Sequence, residues 1–262
     1  MFELLEHAND ERHRPWHECS VVHIVGTDTD VGKTIATAAC AAALIAHGKT
    51  VAVYKPAQTG VQPNMPADAQ LAAYLSGADS YEGVRLPDAM APVAAAEKNG
   101  CTLPSLEDYA KTIHQLRDSY DVVIVEGSGG VSVDIGTAVN SRGWGHQADL
   151  MSLIAEDVHD SCAVIVARIG LGTLNHTLLT YEYLRVRSLN VAGVLIGAMP
   201  SSPTEIHRSN LDFLVRLGCP VLGAIPEGAG KSFVVGEDTE FVHCFDELQE
   251  FRKNASRWCG IE

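Results

Sequence analysis

The stretch Gly26-Thr27-Asp28-Thr29-Asp30-Val31-Gly32-Lys33-Thr34 stands between a short apolar run, Val21 to Val25, and an Ala-rich segment that reads as a helix ending near Gly48. No other feature narrows the possible folds as much. A strand that enters a polar, Gly-bounded loop and leaves as a helix is the context in which Gly-Lys-Thr binds phosphate. Gly32 lets backbone approach phosphate oxygens, and the helix start offers unpaired N–H groups and the positive end of its dipole. Lys33 supplies a cation for the β- and γ-phosphates, and the Thr34 hydroxyl suits magnesium. The spacing departs from the usual phosphate loop, which has glycine at the position of Thr27; here the first glycine comes one residue early, at Gly26. A chance Gly-Lys-Thr at a strand–helix turn is the competing reading, and strand, loop and helix in the right order outweigh it.

The rest of the chain repeats the same grammar. The runs TVAVY, DVVIVE, CAVIVA, VAGVLIG and PVLGAIP are continuously apolar, and segments of helical character separate them at about 67–76, 104–118, 147–158, 174–188 and 204–217. Strands apolar on every residue are covered on both faces, and alternation with helices means a parallel sheet. The expectation is an α/β fold: a single-domain, doubly wound, mostly parallel sheet with helices on both faces, like the P-loop NTPases. Residues 56–66 read as loop, 77–103 as turns around the segment MAPVAAAE, and the tail from about Glu240 as helix. The Gly and polar content of 60–66 and 137–146 suggests mobile loops. Residues 1–20 are polar, without period, and carry His7, His13 and His17. They are expected to be a solvated extension outside a domain spanning 21–262; metal binding by the three histidines is the lesser reading.

Composition matters here mainly for what it excludes. The net charge of −14 opposes nucleic-acid backbones without preventing one nucleotide from binding. Seven cysteines, an odd number with no C-x-x-C pair, indicate neither a disulfide framework nor a zinc site. There is no run of about 18 apolar residues for a membrane span. The start MFELLEHANDERHRPWHECS lacks the basic-then-apolar order of a secretory signal, so a cytoplasmic location is expected.

Carboxylates and a second lysine complete the candidate chemistry. Glu126 ends DVVIVE, at the strand terminus where a ligand crevice lies, and Gly127, Gly129 and Gly130 follow it. A nucleotide-bound magnesium takes one or two carboxylates plus phosphates and water. Asp68 is a second candidate, although its position before a short helix reads locally as an N-cap. Asp28 and Asp30 can orient a nucleotide, bind a substrate ammonium, or cap the loop. Lys55 follows TVAVY directly, where its charge can neutralise a developing anion. Pro56 directs the chain after it, and Thr59 can bond to a substrate.

The segments GTDTDVGKT, YKPAQTG, MAPVAAAE, VEGSGG and LGTLNHTLLT occur in this order and together resemble the dethiobiotin synthetases, over about Val21 to Ile225. That family uses 7,8-diaminopelargonate, carbon dioxide or bicarbonate, and a nucleoside triphosphate such as ATP. The resemblance implies a course in which an amine becomes a carbamate and the γ-phosphate passes to it. The second amine then closes the ureido ring and releases phosphate.

By resemblance, Lys55, Lys33 and Thr34 are catalytic, and Thr34, Asp68 and Glu126 hold magnesium. The nucleotide lies against Asp30, Val31, Gly32, Lys33, Thr34, Ile35, Asp68, Glu126, Gly127, Ser128 and Gly129. Its base borders Gly197, Ala198, Pro226, Glu227 and Gly228. Thr27, Lys55, Thr59 and the loop Gly172-Thr173-Leu174-Asn175 bind the diamine. In the family that loop comes from the other subunit, which implies a homodimer with shared sites and gives His176 a place at the interface. Two departures stand out. Gly197-Ala198 replaces an Asn-Asp pair that often reads adenine, which puts strict ATP preference in doubt. Ser128 replaces a usual Ala.

Three rivals share the nucleotide fold. An amidoligase would need a glutamine-hydrolysing domain, for which there is no room. A ParA- or MinD-like switch ATPase usually has a second lysine early in the loop, where this chain has Thr27 and Asp28. An inactive binding relative would not need Lys33, Thr34, Lys55, Asp68 and Glu126 together.

Overall fold

A computed structural model describes residues 15–62, 65–138, 143–230, 234–235, 241–242 and 245–261. His7 and His13, and with them most of the expected extension, lie outside the described residues.

Seven strands form one sheet in the order β3-β2-β4-β1-β7-β8-β9, and every adjacent pair is parallel. They are β1 (Val21–Gly26), β2 (Val51–Thr59), β3 (Asp79–Leu86), β4 (Val122–Gly130), β7 (Ser161–Ala167), β8 (Val191–Met199) and β9 (Val221–Pro226). Two short antiparallel pairs stand apart: β5 (Asp134–Thr137) with β6 (Trp144–His146), and β10 (Val234–Val235) with β11 (Phe241–Val242). The helices are α1 (Lys33–Ala46), α2 (Asp68–Ser76), α3 (Pro92–Asn99), α4 (Leu106–Arg117), α5 (Gln147–Asp157), α6 (Thr173–Arg185), α7 (Glu205–Arg216) and α8 (Phe245–Trp258).

Alternation within single strands shows the double winding. Val22 and Ile24 of β1 pack in a cluster with α1, α2 and α8, while Val21 and Val25 face the opposite side toward α4 to α6. Helix α1 is enclosed by the sheet on one side and by α2 and α8 on the others. Its buried Ala36, Ala38, Ala39, Ala41, Ala42 and Ala43 allow that close approach, which accounts for the alanine-rich sequence.

Several boundaries differ from the sequence expectation. Strand β2 runs through Lys55 and Pro56 to Thr59 instead of stopping at Tyr54. Pro56 has no register partner in β3 or β4, so its missing N–H disturbs neither ladder. Strand β3 and the β5–β6 pair arise in segments read as turns or mobile loop. The extension boundary at residue 20 falls inside packed chain. Trp16 is 3% exposed in a short 3-10 turn, and its indole N–H donates to the Cys259 carbonyl (3.1 Å). Cys19 is also buried. A large indole removed from water on the C-terminal helix outweighs the polar character of its neighbours. Among the described residues no helix is long and apolar enough to cross a membrane.

Candidate active site

Outside the C-terminal ends of β1, β2 and β4 lies a cavity of about 520 Å³, lined by the phosphate loop, Lys55, Thr59, Asp68, Glu126, Ser128 and Gly129. This edge of a doubly wound sheet is where ligands bind. The topology explains how distant residues meet there: β1 is flanked by β4 on one side and β7 on the other, and β4 separates it from β2.

The phosphate loop folds back tightly on itself. A Cβ at Gly26 would lie 2.7 Å from both the Asp28 carbonyl oxygen and Lys33 Nζ, and 2.9 Å from the Gly129 carbonyl oxygen. Glycine at position 26 therefore does steric work, despite its offset from the usual motif. Gly32 takes φ +96° as the residue capping α1, and Asp30, a non-glycine, takes φ +56°. Lys33 is buried, and its ammonium donates to the Asp28 carbonyl (2.8 Å). Burial first, and the Lys55 charge second, push its pKa down to about 8.

Lys55 is the centre of the polar constellation. Its Nζ donates to Asp68 Oδ2 (2.8 Å), Glu126 Oε1 (2.6 Å) and the Gly127 carbonyl (3.3 Å). Burial alone would lower this ammonium's pKa. The facing Glu126 and Asp68 carboxylates outweigh burial and hold it above the ordinary lysine value. Asp68 responds in the opposite sense: burial would raise its carboxyl, and Lys55 outweighs that and lowers it. Thr34 Oγ1 donates to Glu126 Oε1 (2.9 Å), so the first turn of α1 and the middle of β2 converge on one carboxylate of β4, and Lys55 ties it to Asp68 at the start of α2.

Asp68 is not the helix cap that its local sequence suggests. Ala67 holds that position, with its N–H donating to Gln70 Oε1 (2.9 Å), and Asp68 is the first helical residue. Its own N–H donates to Gln58 Oε1 (3.0 Å), which leaves the carboxylate free to face Lys55. Gln58, a cavity residue overlooked in the sequence, sits in the PAQTG motif, but its neighbours give no sign that it anchors Asp68.

The residues present fit a hard divalent cation. Glu126 is fully buried, and its Oε2 has no hydrogen-bond partner in the structure. Two carboxylates and a hydroxyl are oxygen donors of the kind magnesium takes when nucleotide phosphates complete its shell. Among the described residues no cluster of three or more His, Cys, Asp or Glu forms a metal cage, so a metal here would need the nucleotide or water as further ligands.

The remaining sequence candidates fall into three groups. Ile35, Ser128 and Gly129 line the cavity, Val31 belongs to the phosphate loop itself, the Gly127 carbonyl accepts from Lys55, and the Ser128 hydroxyl donates to the Ala57 carbonyl, joining β4 to β2. On the β8–β9 side, a Cβ at Gly197 would lie 2.0 Å from the Val31 carbonyl oxygen, so β8 touches the phosphate loop through bare backbone. Beside it Ala198 is exposed, Pro226 ends β9, the Glu227 N–H donates to the Met199 carbonyl (2.7 Å), and Gly228 turns the chain with φ +86°.

The third group, Gly172, Thr173, Leu174 and Asn175, opens α6 and does not line the cavity of its own chain. Between this group and the phosphate loop stands Arg168, another residue the sequence did not flag. Its guanidinium donates to Asp28 Oδ2 (3.0 Å), and its carbonyl accepts from Thr173 Oγ1 (2.5 Å). Thr27 is fixed to β7 by its N–H, which donates to the Val166 carbonyl (3.1 Å).

Residues 20–230 match a family described as an AAA domain. The curated ATP-dependent dethiobiotin synthetase BioD of Rhodococcus jostii is 42% identical over 214 residues, 81% of this chain and 88% of that protein. The Streptomyces coelicolor enzyme of the same name is 44% identical over 213 residues, covering 80% and 85%. Among solved structures, the Pyrococcus furiosus cell division ATPase MinD superposes with a TM-score of 0.52 at 16% identity, covering 90% of this chain and 97% of that one. That likeness extends to the fold alone. From the extent and identity of these matches, the chain belongs to the family of ATP-dependent dethiobiotin synthetases, ligases that form carbon–nitrogen bonds.

Proposed function

We propose that the chain closes the ureido ring of dethiobiotin from 7,8-diaminopelargonate and carbon dioxide, with ATP as co-substrate and magnesium as its counter-ion. The observation that carries this reading is the convergence of Lys55, Asp68, Glu126 and Thr34 beside the phosphate loop. In the first step one substrate amine adds to carbon dioxide, giving a carbamate and a proton. A carbamate oxygen then attacks the γ-phosphorus and the diphosphate leaves. Finally the second amine attacks the carbamoyl carbon, the ring closes and inorganic phosphate departs.

The protein need form no covalent bond in this course; it positions groups and neutralises charge. Lys33 holds phosphate oxygens and Lys55 meets the carbamate and transferring phosphoryl oxygens, while Thr27 and Thr59 orient the diamine. Asp68, Glu126 and Thr34 would hold magnesium, which supplies electrostatic stabilisation of the phosphates. The base rests near Gly197, Ala198 and the Pro226–Gly228 turn. Backbone groups dominate that region, and they favour tolerance among bases.

The N-terminal N–H groups of α6 suit a substrate carboxylate. Their distance from their own cavity favours service to a partner's site in a cytoplasmic homodimer. Leu171 (87% exposed) just before α6, Leu179 (63%) on it and Val186 (77%) at its C-terminal cap are exposed apolar side chains, of the kind a subunit contact covers.

Incubation with diaminopelargonate, bicarbonate, magnesium and ATP, with CTP and GTP in parallel, tests the proposal by mass detection of dethiobiotin. Product from the wild type and its loss in Lys55→Ala is the expected result. A folded, nucleotide-binding protein that makes no product with any nucleotide would sink the assignment and favour a switch ATPase.

A further inference from the structure

The oxygens proposed to hold magnesium are already engaged by a cation of the protein itself. Lys55 Nζ lies 2.8 Å from Asp68 Oδ2 and 2.6 Å from Glu126 Oε1, the same oxygen that accepts from Thr34. An ammonium has three donors, and those of Lys55 go to Asp68, Glu126 and the Gly127 carbonyl. None remains for a substrate oxygen.

From this geometry we infer that the Lys55 ammonium is the resident counter-ion of the Asp68–Glu126 pair, and that a divalent metal binds by displacing it. The displacement frees the ammonium to meet the anionic group of the substrate. This inference rests on the proposed reading of the site and adds to it how metal and substrate binding are linked.

Three observations support it. Glu126 is fully buried, so a divalent ion on its carboxylate and an ammonium on the same oxygen would repel with little screening by solvent. The elements that carry the donor oxygens do not depend on Lys55 for their placement. Asp68 is pinned through its N–H to Gln58, Thr34 belongs to α1, and Glu126 belongs to β4. Their backbones therefore stay in position when the lysine leaves. Glu126 Oε2 is buried without a partner, so the ammonium satisfies only half of this carboxylate and a second cation ligand is still called for. By linkage, an anion that takes up the freed ammonium strengthens metal binding, and the metal strengthens anion binding by the same factor.

Manganese(II), a spin-active stand-in for magnesium, serves as the probe without nucleotide. Free ion is counted by electron paramagnetic resonance in the wild type and in Lys55→Met, which keeps an unbranched side chain one atom shorter and removes the charge. The variant should bind the ion at least about tenfold more tightly, within the usual range of coupling between sites. Equal or weaker binding by the folded variant would overturn the inference. Should Lys55→Met fail to fold, the wild type labelled at lysine Nζ with nitrogen-15 decides. Its Lys55 ammonium resonance should shift when magnesium is added, and a resonance that stays fixed at saturating magnesium would overturn the inference. The dethiobiotin assay separates the two readings. Displacement without product leaves this inference standing and removes the proposed reaction; product without displacement does the reverse.

Discussion

Lys33 shows how one burial decision sets a pH limit. Its ammonium sits near pKa 8 because it is desolvated and faces Lys55, below the ordinary lysine value of 10.5 that the unfolded chain retains. Between those two values the unfolded chain holds more protons, so the Lys33 contribution to stability rises with pH through that window. Phosphate binding has the opposite sign, because it needs the charged form. The KM for nucleotide should therefore be flat below about pH 7 and climb above pH 8, toward roughly tenfold per pH unit. A Lys33→Arg variant, charged throughout, should lose that limb even if its KM is higher overall. Steady-state kinetics across pH at fixed magnesium would check both, and an unchanged limb in the arginine variant would assign it to another group. The role proposed for Lys33 can be read from Gly-Lys-Thr because the motif itself suggests the chemistry. That of Asp68 cannot, since an aspartate opening a helix looks like a cap until the fold brings Lys55 to face it. Gln58 and Arg168 are less legible still, because their partners, Asp68 and Asp28, lie outside their own sequence neighbourhoods.

At the scale of elements, β8 and the phosphate loop meet in a close backbone contact. Gly197 meets the Val31 carbonyl with no room for a side chain, so Gly197→Ala must push the loop and strand apart. Overpacking of this kind costs about 1–3 kcal/mol. Urea denaturation should show that loss, and nucleotide KM should rise more than kcat falls, because the displaced backbone carries binding. Retention of wild-type midpoint and KM would mean that the loop accommodates a methyl group freely. Glycine suits position 197 on this backbone, where any Cβ would meet this carbonyl. The central strands were legible because burial on both faces makes them apolar at every position. Strand β3, DSYEGVRL, was not, because it is an edge strand whose residues alternate between exposed and half-buried, and its polar sequence resembles turns. The glycine run after Glu126 reads as loop, yet β4 continues to Gly130. A register break between Ile24 and Gly26 lets Gly26 pair with Gly130 after the irregularity.

For the whole molecule, the sequence locates the domain but not all of its packing. Trp16 joins the C-terminal end of α8 across a sequence separation of 243 residues, a contact that no local pattern announces. The exposure of Leu171, Leu179 and Val186 in and beside α6 is likewise legible only once the fold is known. If the loop Gly172–Asn175 serves the partner's cavity, each active site takes Lys33 from one chain and Asn175 from the other. Two variants then test the arrangement. Lys33→Ala removes the phosphate cation, and Asn175→Asp places a like charge beside the substrate carboxylate on an exposed residue. Each homodimer should make little dethiobiotin. After the two are unfolded and refolded together, half of the dimers are mixed, and each mixed dimer holds one site with Lys33 and Asn175 both intact. Activity should then recover to about a quarter of wild type, as expected for random pairing in a two-fold dimer. Were each chain to build its site from its own loop, every site would carry one of the two lesions and mixing would restore nothing.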